Sequence, residues 1–223
     1  MGQNITLTAK DGFQLGAYRA DPAGKPRGAI VVIQEIFGVN HHIRSVTDRY
    51  AALGFLAVAP AVFDRAQKGF ECGYDPKDIE TGRAVRGKIT LDNLMADTQA
   101  AIDLCKQTGK VAVLGYCMGG TVAFLSATRL SSVTAAVGYY GGQIAQHAME
   151  KPKCPILLHF GEVDQSIPLS DVEKVKKAQP DAPIYIYPGA GHGFHCDERG
   201  SFHAASAQIA ACRSQEFLLK HIG

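Results

Sequence analysis

Cys117 lies in a pattern that is typical of an exposed nucleophile. It is the central residue of Gly115-Tyr116-Cys117-Met118-Gly119, which follows an apolar run at 111–114 and precedes an apolar segment at 121–130. A nucleophile in this pattern sits on a strained turn between a strand and a helix, where flanking side chains would clash with the neighbouring chain. The backbone N–H of Met118 would then be available to a developing oxyanion. The pattern predicts a thiol nucleophile, although glycine-rich turns after strands are common.

Two residues further along the chain have the types that such a nucleophile needs. Asp164 follows an apolar run at 155–160, and His192 follows another at 183–187. Because parallel strands bring their carboxyl ends to one edge of a sheet, we expect Cys117, Asp164 and His192 to meet there. Imidazole can take the thiol proton, and a carboxylate can orient the imidazole. Each residue alone would be interpreted as an ordinary turn residue, but together and in this chain order they predict a hydrolase.

The elements that would position these residues alternate between strands and helices. After an N-terminal hairpin of 5–9 and 13–18, runs typical of strands buried on both faces lie at 28–33, 55–59, 110–114, 133–139, 155–160 and 183–187. Apolar residues recur at helical spacing over 43–53 and 94–105, and the segment 170–178 is compatible with a helix. This alternation predicts an α/β-hydrolase fold with a mostly parallel, doubly wound sheet and no separate lid domain. The irregular stretch 61–88 is expected to cover part of the site.

Composition favours a single compact domain over residues 1–223. Hydrophobic residues make up 46% of the chain and charged residues 20%, and no linker or repeat divides the sequence. The net charge of +2 indicates neither a nucleic-acid nor a membrane partner. With no visible secretion signal, the six cysteines are expected to be reduced thiols in a cytoplasmic protein. A monomer is the default expectation.

The sequence resembles the dienelactone hydrolase family, which comprises the carboxymethylenebutenolidases and their relatives. The segments 34–40, 115–120, 136–141 and 191–194 carry the resemblance, which spans nearly the whole chain. It implies hydrolysis of a small ester or lactone through a Cys117–His192–Asp164 triad and a thioacyl-enzyme, with no cofactor and no metal. We expect the backbone N–H groups of Ile36 and Met118 to form the oxyanion hole.

Glu35 is the unusual member of this predicted site. The resemblance implies that it helps to generate the thiolate when substrate binds. A carboxylate so close to the nucleophile could instead raise the thiol pKa by like-charge repulsion, or could be held in a structural salt bridge. Phe37 and Tyr140 are expected to line the substrate pocket, together with three further aromatic residues, Phe63, Tyr74 and Phe194.

The resemblance is weakest at the residues that would bind a carboxylate group of the substrate. It implies two arginines that hold this group, and Arg83 matches the first of them, with Arg86 as a rival. The second position falls on Cys196, so that Arg199 would have to replace it. The neighbouring acidic residues, Asp197 and Glu198, would oppose anion binding there.

Other functions therefore stay open at this point. One is a carboxylesterase or thioesterase of broader specificity that acts on small neutral esters and reacts incidentally with phosphotriesters. A second is a non-catalytic thiol or redox-sensing protein. The third is a metal site in which His192, His195 and Cys196 are ligands together with His203, although their spacing lacks paired cysteines.

Overall fold

A computed structural model describes residues 2–223 of the chain. Within them lie eight strands: β1 Gln3–Thr8, β2 Gln14–Ala20, β3 Ala29–Ile33, β4 Leu56–Pro60, β5 Val111–Tyr116, β6 Ala135–Tyr139, β7 Ile156–Gly161 and β8 Ile184–Tyr187. The α-helices are α1 His41–Ala52, α2 Pro76–Arg86, α3 Leu91–Cys105, α4 Met118–Arg129, α5 Leu169–Ala178 and α6 Ala204–Ile222.

All eight strands belong to one sheet, in the order β1-β2-β4-β3-β5-β6-β7-β8. The six strands from β4 to β8 in this order run parallel, and β1 and β2 form an antiparallel hairpin that joins β4. Every residue of β3 is buried, which requires helices on both faces of the sheet. The predicted α/β-hydrolase fold is confirmed, and no separate lid domain lies within residues 2–223.

The stretch 61–88 is more regular than its sequence suggested, because it contains α2. Asp75 caps the start of this helix and Asp78 completes a capping box, while Pro76 occupies the first turn, where its missing N–H costs nothing. Gly82 of α2 lies so close to the Ile36 carbonyl that a side chain there would overlap it. The helix therefore packs directly on the loop after β3.

The last helix, α6, had no counterpart among the sequence expectations. It packs against β5, β6 and β7, and its first turn is capped by His203, whose Nδ1 accepts from the Ser206 N–H at 3.4 Å. None of the helices in residues 2–223 combines the length and apolar character required to cross a membrane.

Candidate active site

Cys117 occupies a sharp turn between β5 and α4. Its backbone angles are φ 55° and ψ −118°, in the left-handed half of conformational space that residues with side chains rarely adopt. A side chain at Gly115 would overlap the Gly119 carbonyl, and one at Gly119 would overlap the Ile33 carbonyl. The two flanking glycines therefore allow the turn to form against β3, and the thiol is left partly exposed.

The structure brings Cys117 together with the two residues expected to act with it. The Cys117 Sγ lies 3.1 Å from Nε2 of His192, and Nδ1 of the same imidazole lies 2.8 Å from Oδ2 of Asp164. Asp164 is 5% exposed, and its other oxygen accepts from the Ser166 N–H at 2.8 Å. The three side chains follow the carboxyl ends of β5, β7 and β8, which is where the strand pattern placed them.

The protonation of His192 is set by competition between burial and charge. Burial disfavours the imidazolium, but a charged Cys117 thiolate and the Asp164 carboxylate outweigh it and raise the His192 pKa to about 10. A positive charge on the imidazole is therefore favoured at this position. A thiolate is the reactive form of cysteine.

Glu35 is paired with Arg199 and not with Cys117. Nη1 of Arg199 donates to Oε1 of Glu35 at 3.0 Å, and the two side chains are 15% and 2% exposed. The other carboxylate oxygen, Oε2, is buried and has no hydrogen-bond partner among residues 2–223. The ion pair leaves half of the Glu35 carboxylate unsatisfied.

Ile36 and Met118 are the residues whose backbone N–H groups were expected to bind an oxyanion. Both residues line the cavity that contains Cys117 and His192. Ile36 lies in the loop after β3, and Met118 begins α4, so that its N–H has no carbonyl one turn earlier to bind. Within the part of the chain that the structure describes, neither N–H donates to the protein.

The cavity above the thiol has a volume of about 570 Å³. Its walls include Phe37, which is 2% exposed, and three residues of α2, namely Ile79, Arg83 and Arg86. Helix α2 thus forms the partial cover that was expected from the stretch 61–88. Three further lining residues, Thr121, Gln143 and Ser166, gave no signal in the sequence.

The three arginines of this cavity have different surroundings. Arg199 is held by Glu35, and Arg86 donates to the Ile89 carbonyl at 2.6 Å. Arg83 is exposed and forms no ion pair or hydrogen bond with the described residues. The cation with the greatest freedom to meet an incoming carboxylate is therefore Arg83.

Tyr140 does not line the cavity, contrary to its expected role. It is completely buried, and the centroid of its ring lies 5.1 Å from that of His192 and 5.4 Å from that of Phe194. Its backbone φ of 37° is left-handed, and its hydroxyl is buried without a partner within residues 2–223. Tyr140 supports the His192 imidazole by packing.

Asp197 and Glu198 point away from the neighbouring Arg199. The Asp197 carboxylate lies 3.0 Å from Nδ1 of His42, and Glu198 pairs with His41. These two contacts join the loop that follows His192 to the first turn of α1. The acidic residues are thus engaged elsewhere, and the objection to an anion-binding Arg199 is weakened.

The four residues considered as metal ligands are not assembled. His192 lies between Cys117 and Asp164, and His203 caps α6. The His195 ring packs between aromatic rings, with centroids 5.1 Å from Tyr116 and 4.9 Å from Tyr139. Cys196 lies instead beside His42 and Asp197.

Known proteins resemble the chain over nearly its whole length. A carboxymethylenebutenolidase of Pseudomonas putida is 32% identical over 229 residues, which cover 97% of this chain and 95% of the relative. A Synechocystis protein described as a candidate carboxymethylenebutenolidase is 37% identical over 218 residues, which cover 89% of this chain and 88% of the relative.

Solved structures agree with these relatives. A candidate dienelactone hydrolase from Klebsiella pneumoniae superimposes with a TM-score of 0.87 at 27% identity, covering 99% of this chain and 100% of the other. A dienelactone hydrolase-like promiscuous phosphotriesterase from metagenomic libraries shares the fold, with a TM-score of 0.81 at 21% identity and coverage of 100% and 99%.

The model of the dienelactone hydrolase family matches residues 15–222. This match includes the turn at Cys117, the loop after β3 and the two loops that carry Asp164 and His192. The chain therefore belongs to the dienelactone hydrolase family, and it is a hydrolase that acts on esters or lactones.

Proposed function

We propose that the chain hydrolyses a small ester or lactone through a covalent thioacyl-enzyme formed on Cys117. The observation that carries this proposal is the continuous contact from the Cys117 thiol through His192 to Asp164, with separations of 3.1 Å and 2.8 Å. These distances fall within the range of hydrogen bonds that transfer a proton or orient a base.

In the first half of the reaction, the Cys117 thiolate attacks the substrate carbonyl carbon and a C–S bond forms. The proton taken from the thiol resides on Nε2 of His192. As the tetrahedral intermediate collapses, the C–O bond breaks, and His192 gives this proton to the leaving oxygen. Asp164 keeps the imidazole in the working orientation and offsets its positive charge.

In the second half, water attacks the thioester carbonyl while His192 takes its proton. The C–S bond then breaks, and the acid product leaves with the thiolate–imidazolium pair restored. Both tetrahedral intermediates carry an oxyanion, which the N–H groups of Ile36 and Met118 are proposed to bind. A backbone donor of this kind is worth about 3 kcal/mol of transition-state stabilisation.

Glu35 is proposed to couple substrate binding to formation of the thiolate. A substrate carboxylate that enters the cavity competes with Glu35 for Arg199, since both are anions that suit the same guanidinium. Once freed, the Glu35 carboxylate is a buried and unpaired base that helps the thiol to lose its proton, which His192 then holds for the leaving oxygen. Arg83 would hold the same substrate carboxylate from the side of α2.

The test is hydrolysis of a carboxylate-bearing dienelactone and of a neutral aryl ester by the wild type and by Cys117→Ala. We expect the acidic lactone to react much faster and the variant to be inactive on both substrates. Activity of Cys117→Ala on either substrate would contradict the cysteine mechanism. Trapping the acyl group and locating it on Cys117 by mass spectrometry would give independent support.

A broader esterase or thioesterase is the second candidate. It is favoured by the ion pair of Arg199 with Glu35, which offsets the positive charge of one of the three arginines that line the cavity. In that case the neutral ester would react at least as fast as the acidic lactone. The continuous eight-stranded sheet also supports the proposal that residues 1–223 act as one catalytic domain.

A further inference from the structure

A second group of reactive side chains lies outside the cavity, between α1 and the loop that follows His192. One ring nitrogen of His42, the thiol of Cys196 and one carboxylate oxygen of Asp197 all lie within 4.8 Å of one another. His42 belongs to the first turn of α1, whereas the other two residues are adjacent on the loop. No step of the proposed hydrolysis uses any of these three side chains.

The three groups are chemically suited to one kind of ligand. Imidazole, thiolate and carboxylate are the groups with which proteins bind Zn²⁺. Nδ1 of His42 and Oδ1 of Asp197 are 3.0 Å apart. Two such ligands on a tetrahedral zinc ion would be roughly 3.4 Å apart, given bonds of about 2.0–2.2 Å. The cluster thus needs shifts of about 1 Å or less to close around an ion.

Two of the three side chains in the cluster are buried, and the third is exposed to solvent. His42 and Cys196 are fully buried, whereas the Asp197 side chain is 53% exposed. Solvent can therefore reach the cluster from the side of Asp197 and supply a fourth ligand there. Nε2 of His42 is buried without a partner among residues 2–223, so the imidazole is not saturated by protein hydrogen bonds.

Some of the charges around the cluster favour the binding of a cation and others oppose it. Burial and the nearby Glu35 carboxylate raise the pKa of the Cys196 thiol to about 12, so that without a cation the sulfur carries its proton. A cation that binds there forms an S–metal bond in place of the S–H bond, and the proton is released to solvent. Arg49 and Arg199 are close enough to influence the pKa values of Asp197 and Cys196, and they would weaken the binding of a cation.

We propose that His42, Cys196 and Asp197 form a binding site for a thiophilic divalent cation such as Zn²⁺. The bound ion would fasten the start of α1 to the loop that carries His192 and Arg199. It would reinforce the His42–Asp197 and His41–Glu198 contacts that already join these two segments. None of the three ligands takes part in the hydrolytic steps proposed above, although Cys196 lies near Glu35.

The proposal is tested with Co²⁺, which gives a thiolate-to-metal charge-transfer band in the near ultraviolet. Because Cys117 and His192 could also bind a cation, the titration is made in Cys117→Ser. We expect a saturable band with a stoichiometry of one Co²⁺ per chain, displaced by Zn²⁺. Adding Cys196→Ser should abolish the band, while adding Cys212→Ser, a matched change at an exposed thiol, should leave it unchanged.

A second variant tests the site without changing the buried Cys196, whose substitution by Ser could disturb folding. Asp197→Asn removes a half-exposed ligand and should weaken Co²⁺ binding by more than about 10-fold. Loss of a group that only hydrogen-bonds to a metal ligand already weakens binding by about this much. Zn²⁺ should raise the thermal midpoint of Cys117→Ser and have a smaller effect on the variant that also carries Asp197→Asn. Absence of the band in Cys117→Ser, or its survival without Cys196, would overturn the proposal.

Discussion

The guanidinium of Arg199 donates to the Glu35 carboxylate at 3.0 Å, although 164 positions separate the two residues in the sequence. Both side chains are largely removed from water, and one oxygen of Glu35 has no partner within residues 2–223. A buried pair of this kind contributes little net stability, but each member makes the burial of the other tolerable.

Removing only one member of this pair should therefore be costly. We expect Arg199→Met to lower the free energy of unfolding by about 3–5 kcal/mol, because it leaves the Glu35 charge buried and unpaired. The double variant with Glu35→Gln should recover much of this loss in urea denaturation. Arg129→Met breaks a partly exposed pair with Glu150 and should cost about 1 kcal/mol or less. Equal costs for Arg199→Met and the double variant would contradict this account.

Asp164→Asn should lower kcat by about 10³–10⁴-fold and leave KM nearly unchanged, because an amide can hold the wrong tautomer of His192. Steady-state kinetics on one aryl ester measures the effect. Glu162→Gln changes an exposed carboxylate just beyond the same strand and should alter kcat by less than about twofold, as surface substitutions usually do. A comparable loss in both variants would mean that Asp164 has no special role.

Arg83→Gln should raise KM for a carboxylate-bearing lactone by about 10-fold or more, the value of one charge-assisted hydrogen bond. KM for a neutral ester should stay the same, since that substrate offers no anion to the guanidinium. Lys77→Gln removes an exposed positive charge from the same helix, outside the cavity, and serves as the control. An equal rise in KM for both substrates would show that Arg83 acts only through structure.

Gly119→Ala should destabilise the protein by about 3 kcal/mol or more, or prevent folding, since the added carbon would overlap the Ile33 carbonyl. Backbone atoms cannot yield as a flexible side chain can. At Gly200 an added carbon meets no atom within 4 Å, and Gly200→Ala should change stability by about 0.5 kcal/mol or less. Thermal denaturation of both variants is the measurement, and a tolerated Gly119→Ala would refute the close packing of the turn on β3.

The stability of the protein should fall in acid partly because of His195. Burial, with the proximity of His42, lowers the pKa of His195 to about 3. Between about pH 6.5 and pH 3 the unfolded chain binds a proton there that the folded chain does not. This one residue should therefore remove about 1.4 kcal/mol per pH unit as the pH falls through this window.

Urea denaturation across this pH range measures that slope for the wild type and for His195→Gln. The free energy of unfolding should fall less steeply with decreasing pH in the variant, by about the 1.4 kcal/mol per pH unit that one proton contributes. His159, which burial also keeps neutral, should contribute in the same direction and retain its effect in the variant. An unchanged slope in His195→Gln would contradict the assignment.

The parts of the site that follow strand ends could be predicted from the sequence, because apolar runs locate the strands and parallel pairing fixes their common edge. This argument led to Cys117, Asp164 and His192 without any knowledge of distances. It also located Ile36 and Met118 through their positions beside the strand ends. The fold class followed from the same alternation of elements.

The residues that depend on side-chain direction could not be predicted in this way. Arg199 was weighed against its acidic neighbours, but those carboxylates bind His41 and His42 on α1, a contact between segments far apart in the sequence. Tyr140 has a left-handed backbone and a buried ring that does not line the cavity, and no sequence pattern reports such a conformation. Helix α2 was missed although Asp75 and Pro76 are a typical helix start.

The 75 positions between Cys117 and His192 have a consequence for folding. Cys117, the proposed nucleophile, follows the central strand β5, whereas His192, its proposed base, is supplied only after the edge strand β8 has joined. A nascent or truncated chain that ends before β8 would carry an exposed thiol without its proton acceptor. Recovery of turnover during refolding would thus report completion of the sheet edge, a later event than formation of the central strands.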